Sequence, residues 1–257
     1  MSKKKSGLPF VLIANIAESK TPDLSRWKTE PLPIEMKRLM EANHSGNNWR
    51  FSIEDNRLSV IQDNSRDKSQ NLLPFSDDVL TKNLIQSAGK RRVKKVADGF
   101  LVGFNRGEFG GGLVFVSDDE SEVYDFGEDL RIEAFFEFDS KIYATEGLSH
   151  LTFRSGQIIE IYKDDVWTYK TVVKLNKTPL LIEKLEDYFI ILTNRNLSKL
   201  TKNLEIEQIL TAPIDWSVLY PTSVYVDNKD LYIAMRKGIL KIENFLTNVN
   251  FSWYVPK

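Results

Sequence analysis

Three arginines lie at comparable places along the chain and could bind an anion together. Arg106, Arg195 and Arg236 each follow a hydrophobic stretch of strand length and lie in a short polar turn. Guanidinium groups form paired hydrogen bonds with carboxylates and phosphates, so converging turns would bind such a group or an acidic loop of a partner. The alternative is that each arginine pairs with an acid of a neighbouring unit, Glu108 or Glu146, and only sets the packing register.

Glu146 and His150 could form a general base with its orienting acid, or a pair of metal ligands. His44 is the only other histidine in the chain, so a zinc site would lack ligands, and we expect neither a metal nor another cofactor. Together with Glu108, this pair could act on a small molecule or a carbohydrate. The other interpretation is a histidine hydrogen-bonded for structural reasons, since the sequence shows no Ser/His/Asp set and no group of acids around a metal.

The segment Asn105–Gly112 contains four glycines and has some likeness to a phosphate-binding loop. It lacks the glycine-lysine-serine/threonine ending of such loops, and a strand rather than a helix follows it. We therefore favour a structural interpretation, in which Gly110, Gly111 or Gly112 has a positive φ or leaves no room for a Cβ atom.

A further group of candidate binding residues lies in the connection 212–220, which contains Asp215, Trp216 and Tyr220. Exposed aromatic residues next to arginines are typical anchors of protein interfaces. The sequence therefore predicts that Trp216 is exposed and contributes to a binding surface.

These residues belong to a chain that repeats itself. Hydrophobic stretches come in pairs joined by polar turns, and Arg106, Glu146, Arg195 and Arg236 are 40, 49 and 41 residues apart. Four short strands in a period of roughly 40–50 residues are typical of β-propeller blades. We predict an all-β, propeller-like domain over 1–257, with four or five blades of four-stranded antiparallel sheet. The regular blades occupy 93–257.

The irregular part, 1–92, is predicted to contain a strand over 8–17, short helices over 34–42 and 77–87, and a hairpin over 49–61. Pairing of the first strand with the last unit would protect exposed sheet edges. Blade topology then brings the second-to-third-strand loops and the inter-blade connections to one face of the domain. This face would collect all the candidate binding residues: Arg106, Glu108, Glu146, His150, Arg195, Asp215, Trp216, Tyr220 and Arg236.

Four stretches of the sequence resemble an uncharacterised family of bacterial propeller-like proteins. They are Gly103–Leu113, Glu146–Leu151, Leu219–Val224 and Tyr232–Gly238. The resemblance extends over about residues 93–245 and implies the same fold. It implies no catalytic residue, because no activity is established for that family.

Composition excludes several classes of partner. The net charge is −1, so no global field favours nucleic acid, and the basic run Lys90–Lys95 has no interleaved aromatics to stack on bases. We interpret that run as a solvated approach to the first regular strand. The chain has no cysteine and no apolar stretch long enough to span a membrane. We expect a cytoplasmic monomer, or a periplasmic protein if Lys3–Ala17 acts as a signal peptide.

The expected function is therefore non-enzymatic binding of another protein. An immunity-type protein that neutralises a bacterial toxin is one specific form of this hypothesis. The alternative is a small-molecule-binding, carbohydrate-binding or hydrolytic propeller that uses Glu108, Glu146 and His150.

Overall fold

The structure is a computed structural model that describes residues 21–63, 73–127, 129–150 and 153–257. Of residues 149, 150, 153 and 154 it describes the backbone alone. The strand expected over 8–17 lies outside the described residues. The described chain is all-β, as predicted, and its helices, of eight and six residues, are too short to cross a bilayer.

Four antiparallel sheets are each built from consecutive strands, which is the connectivity expected of blades. Sheet I contains β4 (Lys90–Val96), β5 (Gly99–Asn105), β6 (Gly111–Ser117) and β7 (Val123–Asp125). Sheet II contains β8 (Ile132–Phe138), β9 (Lys141–His150), β10 (Phe153–Lys163) and β11 (Trp167–Leu175). Sheet III contains β12 (Leu181–Lys184), β13 (Phe189–Leu192), β14 (Asn196–Leu200) and β15 (Ile206–Thr211). Sheet IV contains β16 (Ser223–Asp227), β17 (Asp230–Ala234), β18 (Ile239–Glu243) and β19 (Asn250–Pro256).

The N-terminal third adds smaller elements to this series. β1 (Trp27–Glu30) pairs antiparallel with β19 and becomes a fifth strand at the outer edge of sheet IV. The predicted hairpin is confirmed as β2 (Trp49–Glu54) and β3 (Arg57–Gln62), whose turn residues Asp55 and Asn56 both have positive φ. The two short helices are also present, as α1 (Met36–Asn43) and α2 (Asp77–Lys82). α2 is shorter than predicted because Leu84 adopts a left-handed conformation just after it.

Hydrophobic clusters lie between successive sheets, so each blade contributes one face to each of two cores. Leu113 and Ile132 belong to the core between sheets I and II, and Phe136 and Phe189 to the core between sheets II and III. Sheets III and IV share the largest cluster, which also includes Leu39 of α1. The hairpin packs on sheet IV, while residues 73–85, including α2, cover the other end of the series on sheet I.

The basic run Lys90–Lys95 is part of β4, which corrects its interpretation as a solvated approach to the first strand. Successive side chains of a strand point to opposite faces, and the cations alternate accordingly. Lys90 and Lys94 pair with Glu133 and Glu137 of sheet II at 3.3 and 2.8 Å, respectively. Arg91 pairs with Asp77 of α2 at 3.0 Å, on the opposite side of sheet I. The run therefore joins sheet I to its two neighbours.

Candidate functional site

The structure divides the predicted binding residues between two ends of the series of sheets. Arg106 and Glu108 lie in the loop between β5 and β6 of sheet I, whereas Glu146, which was predicted to lie in a loop, is part of strand β9 of sheet II; we call these three residues the sheet I–II group. Arg195, Asp215, Trp216, Tyr220 and Arg236 lie at the loops of sheets III and IV, and we call them the sheet III–IV group. His150 ends β9, where its backbone pairs with Phe153, and its side chain lies outside the described part of the structure.

The glycine-rich loop of the sheet I–II group is confirmed as a structural device. Gly110 has φ 99° and ψ −164°, a conformation essentially restricted to glycine. A Cβ atom on Gly111 would lie 2.1 Å from the backbone oxygen of Leu130, so this position has no room for a side chain. Gly112 is different, because a Cβ atom there would meet Phe104 at an ordinary contact distance of 3.6 Å.

The backbone amides of this loop are engaged within the protein. Gly107 N–H donates to Asn105 Oδ1 at 2.7 Å, Gly110 N–H to Gly107 O at 3.2 Å, and Gly111 N–H to Asp129 Oδ1 at 2.6 Å. Arg131 completes the arrangement, since its Nε donates to Gly107 O at 2.7 Å and its Nη2 to Asp129 Oδ2 at 2.8 Å. A phosphate-binding loop needs free amides that point at the ligand, so this arrangement supports the structural interpretation.

Arg106 crosses this loop and is held by a neutral side chain. Its guanidinium donates to Gln86 Oε1, and its backbone N–H donates to Gly110 O at 2.8 Å. Its Nε is buried without a hydrogen-bond partner among the described residues. The hydrogen bonds that position Arg106 therefore go to neutral oxygens, which differs from the alternative of pairing with Glu108 or Glu146.

The two acids of the sheet I–II group lie in different environments. Glu108 is exposed in the 3₁₀ turn Gly107–Phe109. Glu146 is half-buried in β9, where burial raises the pKa of its carboxyl above its usual value. Hydrogen bonds from the Arg131 backbone and the Gln157 side chain oppose that rise. In the described part of the chain, no group of three or more His, Asp or Glu side chains is arranged to hold a metal ion.

Trp216 is buried, and the expectation that it forms an exposed anchor is wrong. Its side chain is 0% exposed, and its indole N–H donates to the backbone oxygen of Thr193. Asp215 precedes it at the start of the 3₁₀ turn Trp216–Leu219, where its carboxylate accepts hydrogen bonds from the backbone and hydroxyl of Ser217. Asp215 and Trp216 thus shape the connection between sheets III and IV from within.

Tyr220 is exposed at the end of that connection and rests on Arg236. The tyrosine is 56% exposed and has a left-handed conformation, with φ 50° and ψ 70°. The guanidinium carbon of Arg236 lies 4.3 Å from the centre of its ring, a cation–π contact. Arg236 itself donates to Asn43 O at 2.7 Å and to Asn48 Oδ1 at 3.2 Å.

Arg195 is the most open arginine of the three. The residue is exposed, and a single nitrogen, Nη2, donates to the backbone oxygens of Ala212 and Pro213, both at 3.2 Å. Guanidinium groups carry several further N–H donors, so the side chain is anchored at one end and can still bind a carboxylate.

Sequence reasoning missed the residues that support these groups. Asp129 and Arg131 lie in an inter-sheet connection whose importance shows only in contacts with the glycine loop. Asn43, Asn48 and Gln86 come from the N-terminal third, which the repeat does not include. Phe109 was also missed, although it is 74% exposed beside Glu108. Its place in the Arg-Gly-Glu-Phe-Gly turn is the only sequence signal for that exposure.

The comparisons with known proteins give no family. No protein-family model matches the chain, and no curated protein matches it in sequence. The chain is similar in structure to a structural genomics protein of unknown function from Bacteroides thetaiotaomicron VPI-5482, with 10% sequence identity and a TM-score of 0.38. The similarity covers 65% of this chain and 46% of that one, so the chain spans less than half of that protein's length.

Proposed function

We propose that this chain is a non-enzymatic protein-binding protein, and that it binds its partner through Tyr220, Arg236 and Arg195. The narrower form of the proposal is an immunity-type protein that neutralises a bacterial toxin. The observation that carries the proposal is the exposed ring of Tyr220, which lies over the guanidinium of Arg236. The backbone of Tyr220 has a left-handed conformation that directs the side chain there.

A fixed aromatic ring lowers the entropic cost of association. Tyr220 N–H donates to Ser217 O at 3.2 Å, and Arg236 N–H donates to Leu219 O at 2.7 Å. The segments that carry the two side chains are therefore joined by backbone hydrogen bonds. Ordering a flexible side chain on binding costs about 0.5–1.5 kcal/mol, and an anchor that is already ordered avoids part of that cost. Tyrosine and arginine are also, with tryptophan, the residue types most enriched among interface anchors.

The charge of this surface indicates the kind of partner. Arg195 is held by two neutral carbonyl oxygens and keeps donors for another group. Arg236 is likewise bound to neutral oxygens, which leave its positive charge uncompensated by hydrogen-bonded carboxylates. The complementary partner is a protein whose contact surface combines an apolar patch for Tyr220 with carboxylates for Arg195.

The test compares Tyr220→Ala with a matched control, Tyr162→Ala. Tyr162 in β10 is also exposed, at 38%, and has a cation over its ring, Lys170 at 5.3 Å, but it lies near the turn 164–166, at the other end of sheet II. Tagged wild-type protein and both variants, with Arg195→Glu as a charge-reversed form, are purified from the native host. Recovered proteins are identified by quantitative mass spectrometry, and the affinity for the purified partner is then measured by calorimetry.

Tyr220→Ala and Arg195→Glu should each lower the affinity for the partner at least about tenfold, and Tyr162→Ala should leave that affinity unchanged. For the immunity form, the recovered partner should arrest growth of a host that lacks the chain. Wild-type protein should restore growth, and Tyr220→Ala should not. If Tyr220→Ala and Arg195→Glu recover the partner as well as wild type does and bind it with the same affinity, this surface is not the binding site.

The alternative, a carbohydrate-binding or hydrolytic site with Glu108, Glu146 and His150, has one observation in its favour. Burial raises the pKa of Glu146, as a general acid requires. Hydrolysis of chromogenic glycosides that is abolished by Glu146→Gln would support it. Hydrolysis that is unaffected by this substitution would exclude Glu146 from the reaction.

A further inference from the structure

A cavity of about 210 Å³ lies beside α1 at the outer side of sheet IV. Trp253 of β19 lines it, and because this residue is only 2% exposed, it belongs to the floor rather than the rim. Pro31 and Pro33, between β1 and α1, form part of the wall with restricted backbone torsions. At ~30 Å³ for each water in the liquid, the space corresponds to roughly seven waters, or to one small organic molecule.

Charges of both signs line this cavity. Arg38 and Glu41 are three residues apart on α1 and therefore lie on the same side of the helix. Both side chains are exposed, and neither forms a hydrogen bond or a close ion pair with any residue that the structure describes, although Arg38 is near enough to Glu30 to help lower the pKa of that carboxyl. Glu30 is different, because its carboxylate is bound by Lys28 at 3.0 Å and faces Lys237 at 3.8 Å.

Glu30 and Lys237 already have partners within the protein, which leaves the other charged side chains of the cavity for a ligand. The hydrogen bond from Lys28 lowers the pKa of Glu30, so this carboxyl is ionised at neutral pH and already compensated. Lys237 is held in a left-handed conformation, and its backbone N–H donates to Asn47 O at 2.7 Å. The charged groups of the cavity that remain open to a ligand are thus the guanidinium of Arg38 and the carboxylate of Glu41, beside an indole and two proline rings.

We propose that this cavity binds a free α-amino acid with an apolar side chain. The ligand's carboxylate binds the guanidinium of Arg38, and its ammonium group binds the carboxylate of Glu41. Its side chain lies against Trp253 and the two prolines. Each charge of the zwitterion has an opposite partner here, whereas a singly charged analogue can form only one of the two ion pairs, so the zwitterion is favoured. The inference does not depend on the protein-binding surface at Tyr220.

Calorimetric titration of the full chain tests the proposal with L-leucine and L-phenylalanine. Matched ligands each lack one charge: leucinamide has no carboxylate, and 4-methylpentanoate has no ammonium group. The variants are Arg38→Gln and Glu41→Gln, with Lys37→Gln as the control. Lys37 is a neighbouring exposed cation of α1 that does not line the cavity. Thermal melts of the three variants check that their folds are intact.

At least one of the two amino acids should bind with a Kd below ~10 mM. If leucine binds, leucinamide and 4-methylpentanoate should each bind at least tenfold more weakly than leucine. If phenylalanine binds, the same holds for its corresponding analogues, phenylalaninamide and 3-phenylpropanoate. Arg38→Gln and Glu41→Gln should each weaken binding at least tenfold, and Lys37→Gln should not change it. The absence of binding by both amino acids overturns the proposal. So does equal binding by the singly charged analogues, or wild-type affinity in the two cavity variants.

Discussion

The substitution Gly111→Ala would add a methyl group for which the structure has no space. An added Cβ atom would lie 2.1 Å from Leu130 O and 2.7 Å from both Leu130 C and Phe104 O. All three are backbone atoms, so the clash cannot be removed by rotating one side chain. The backbone of β5 and of the connection before β8 would have to move away from residue 111. Overpacking of this kind costs about 1–3 kcal/mol, and in a chain of this size each 1 kcal/mol lowers Tm by about 2–4 °C.

The neighbouring glycines give the comparison that identifies the cause. Gly110→Ala forces a side chain into a conformation with φ 99°, at a cost of about 1–3 kcal/mol of backbone strain. The Cβ atom itself would meet the ends of the Asp129 and Arg106 side chains, which can move. Gly112→Ala adds only an ordinary contact with Phe104 at 3.6 Å, and its free energy of unfolding should change by less than about 0.5 kcal/mol.

Urea denaturation followed by circular dichroism measures the three variants against wild type. The midpoints should fall for Gly111→Ala and Gly110→Ala at an unchanged m value, and should stay in place for Gly112→Ala. A cost for Gly112→Ala as large as that for Gly111→Ala would refute the reasoning, since it would mean that any substitution in this loop is damaging. A wild-type midpoint for Gly111→Ala would refute it equally, because the close approach to Leu130 would then cost nothing.

Two further predictions concern buried polar groups. Glu183→Gln should stabilise the protein above pH 7 and change little below pH 4.5. Burial opposite Ile190 raises the pKa of Glu183 from 4.5 to about 7, so the folded state holds this proton more tightly than the unfolded chain. Stability then falls as pH rises through that window, by on the order of 1–3 kcal/mol. Urea midpoints of both proteins from pH 4 to 8 test this, and parallel curves would contradict it. Trp216→Phe should cost about 2–4 kcal/mol, because it removes buried volume and leaves the Thr193 carbonyl unpaired. Tyr220→Phe, at an exposed position, is the control in the same denaturation assay, and an equal effect of the two would show that Trp216 is not buried.

Local patterns were sufficient to predict the β2–β3 hairpin and the backbone constraint of the glycine-rich loop. Alternating hydrophobic residues around Asp55–Asn56 predicted the β2–β3 hairpin, and both turn residues have the positive φ that such turns need. The constraint on Gly110 and Gly111 was also predictable, because three consecutive glycines between strands indicate a backbone that side chains would obstruct. In both cases the determining contacts form within a short stretch of chain or with the next strand.

The basic run Lys90–Lys95 shows where composition misled. Six residues with five cations look like a solvated segment, because strands usually contain few charges. In the structure four of these cations form ion pairs, one each with Glu133, Glu137, Asp77 and Asp118. Glu133 and Glu137 lie in β8, Asp77 in α2 and Asp118 in the turn after β6, so the sequence of the run itself contains no sign that its charges are paired. Strand character here follows from neighbours that only the folded chain brings near.

The same limit applies to the candidate binding surface. Arg236 is held by Asn43 and Asn48, which are 193 and 188 residues away in the chain. Trp216 was expected to be exposed because it lies in a long connection with Asp215 and Tyr220, yet the packing of α1, sheet III and sheet IV encloses it. α1 therefore has two roles: it helps to bury Trp216, which the sequence presented as an anchor, and through Asn43 it fixes Arg236 beneath Tyr220, the proposed anchor. The repeat over 93–257 contains no sign of either role, because the element that decides both lies outside it.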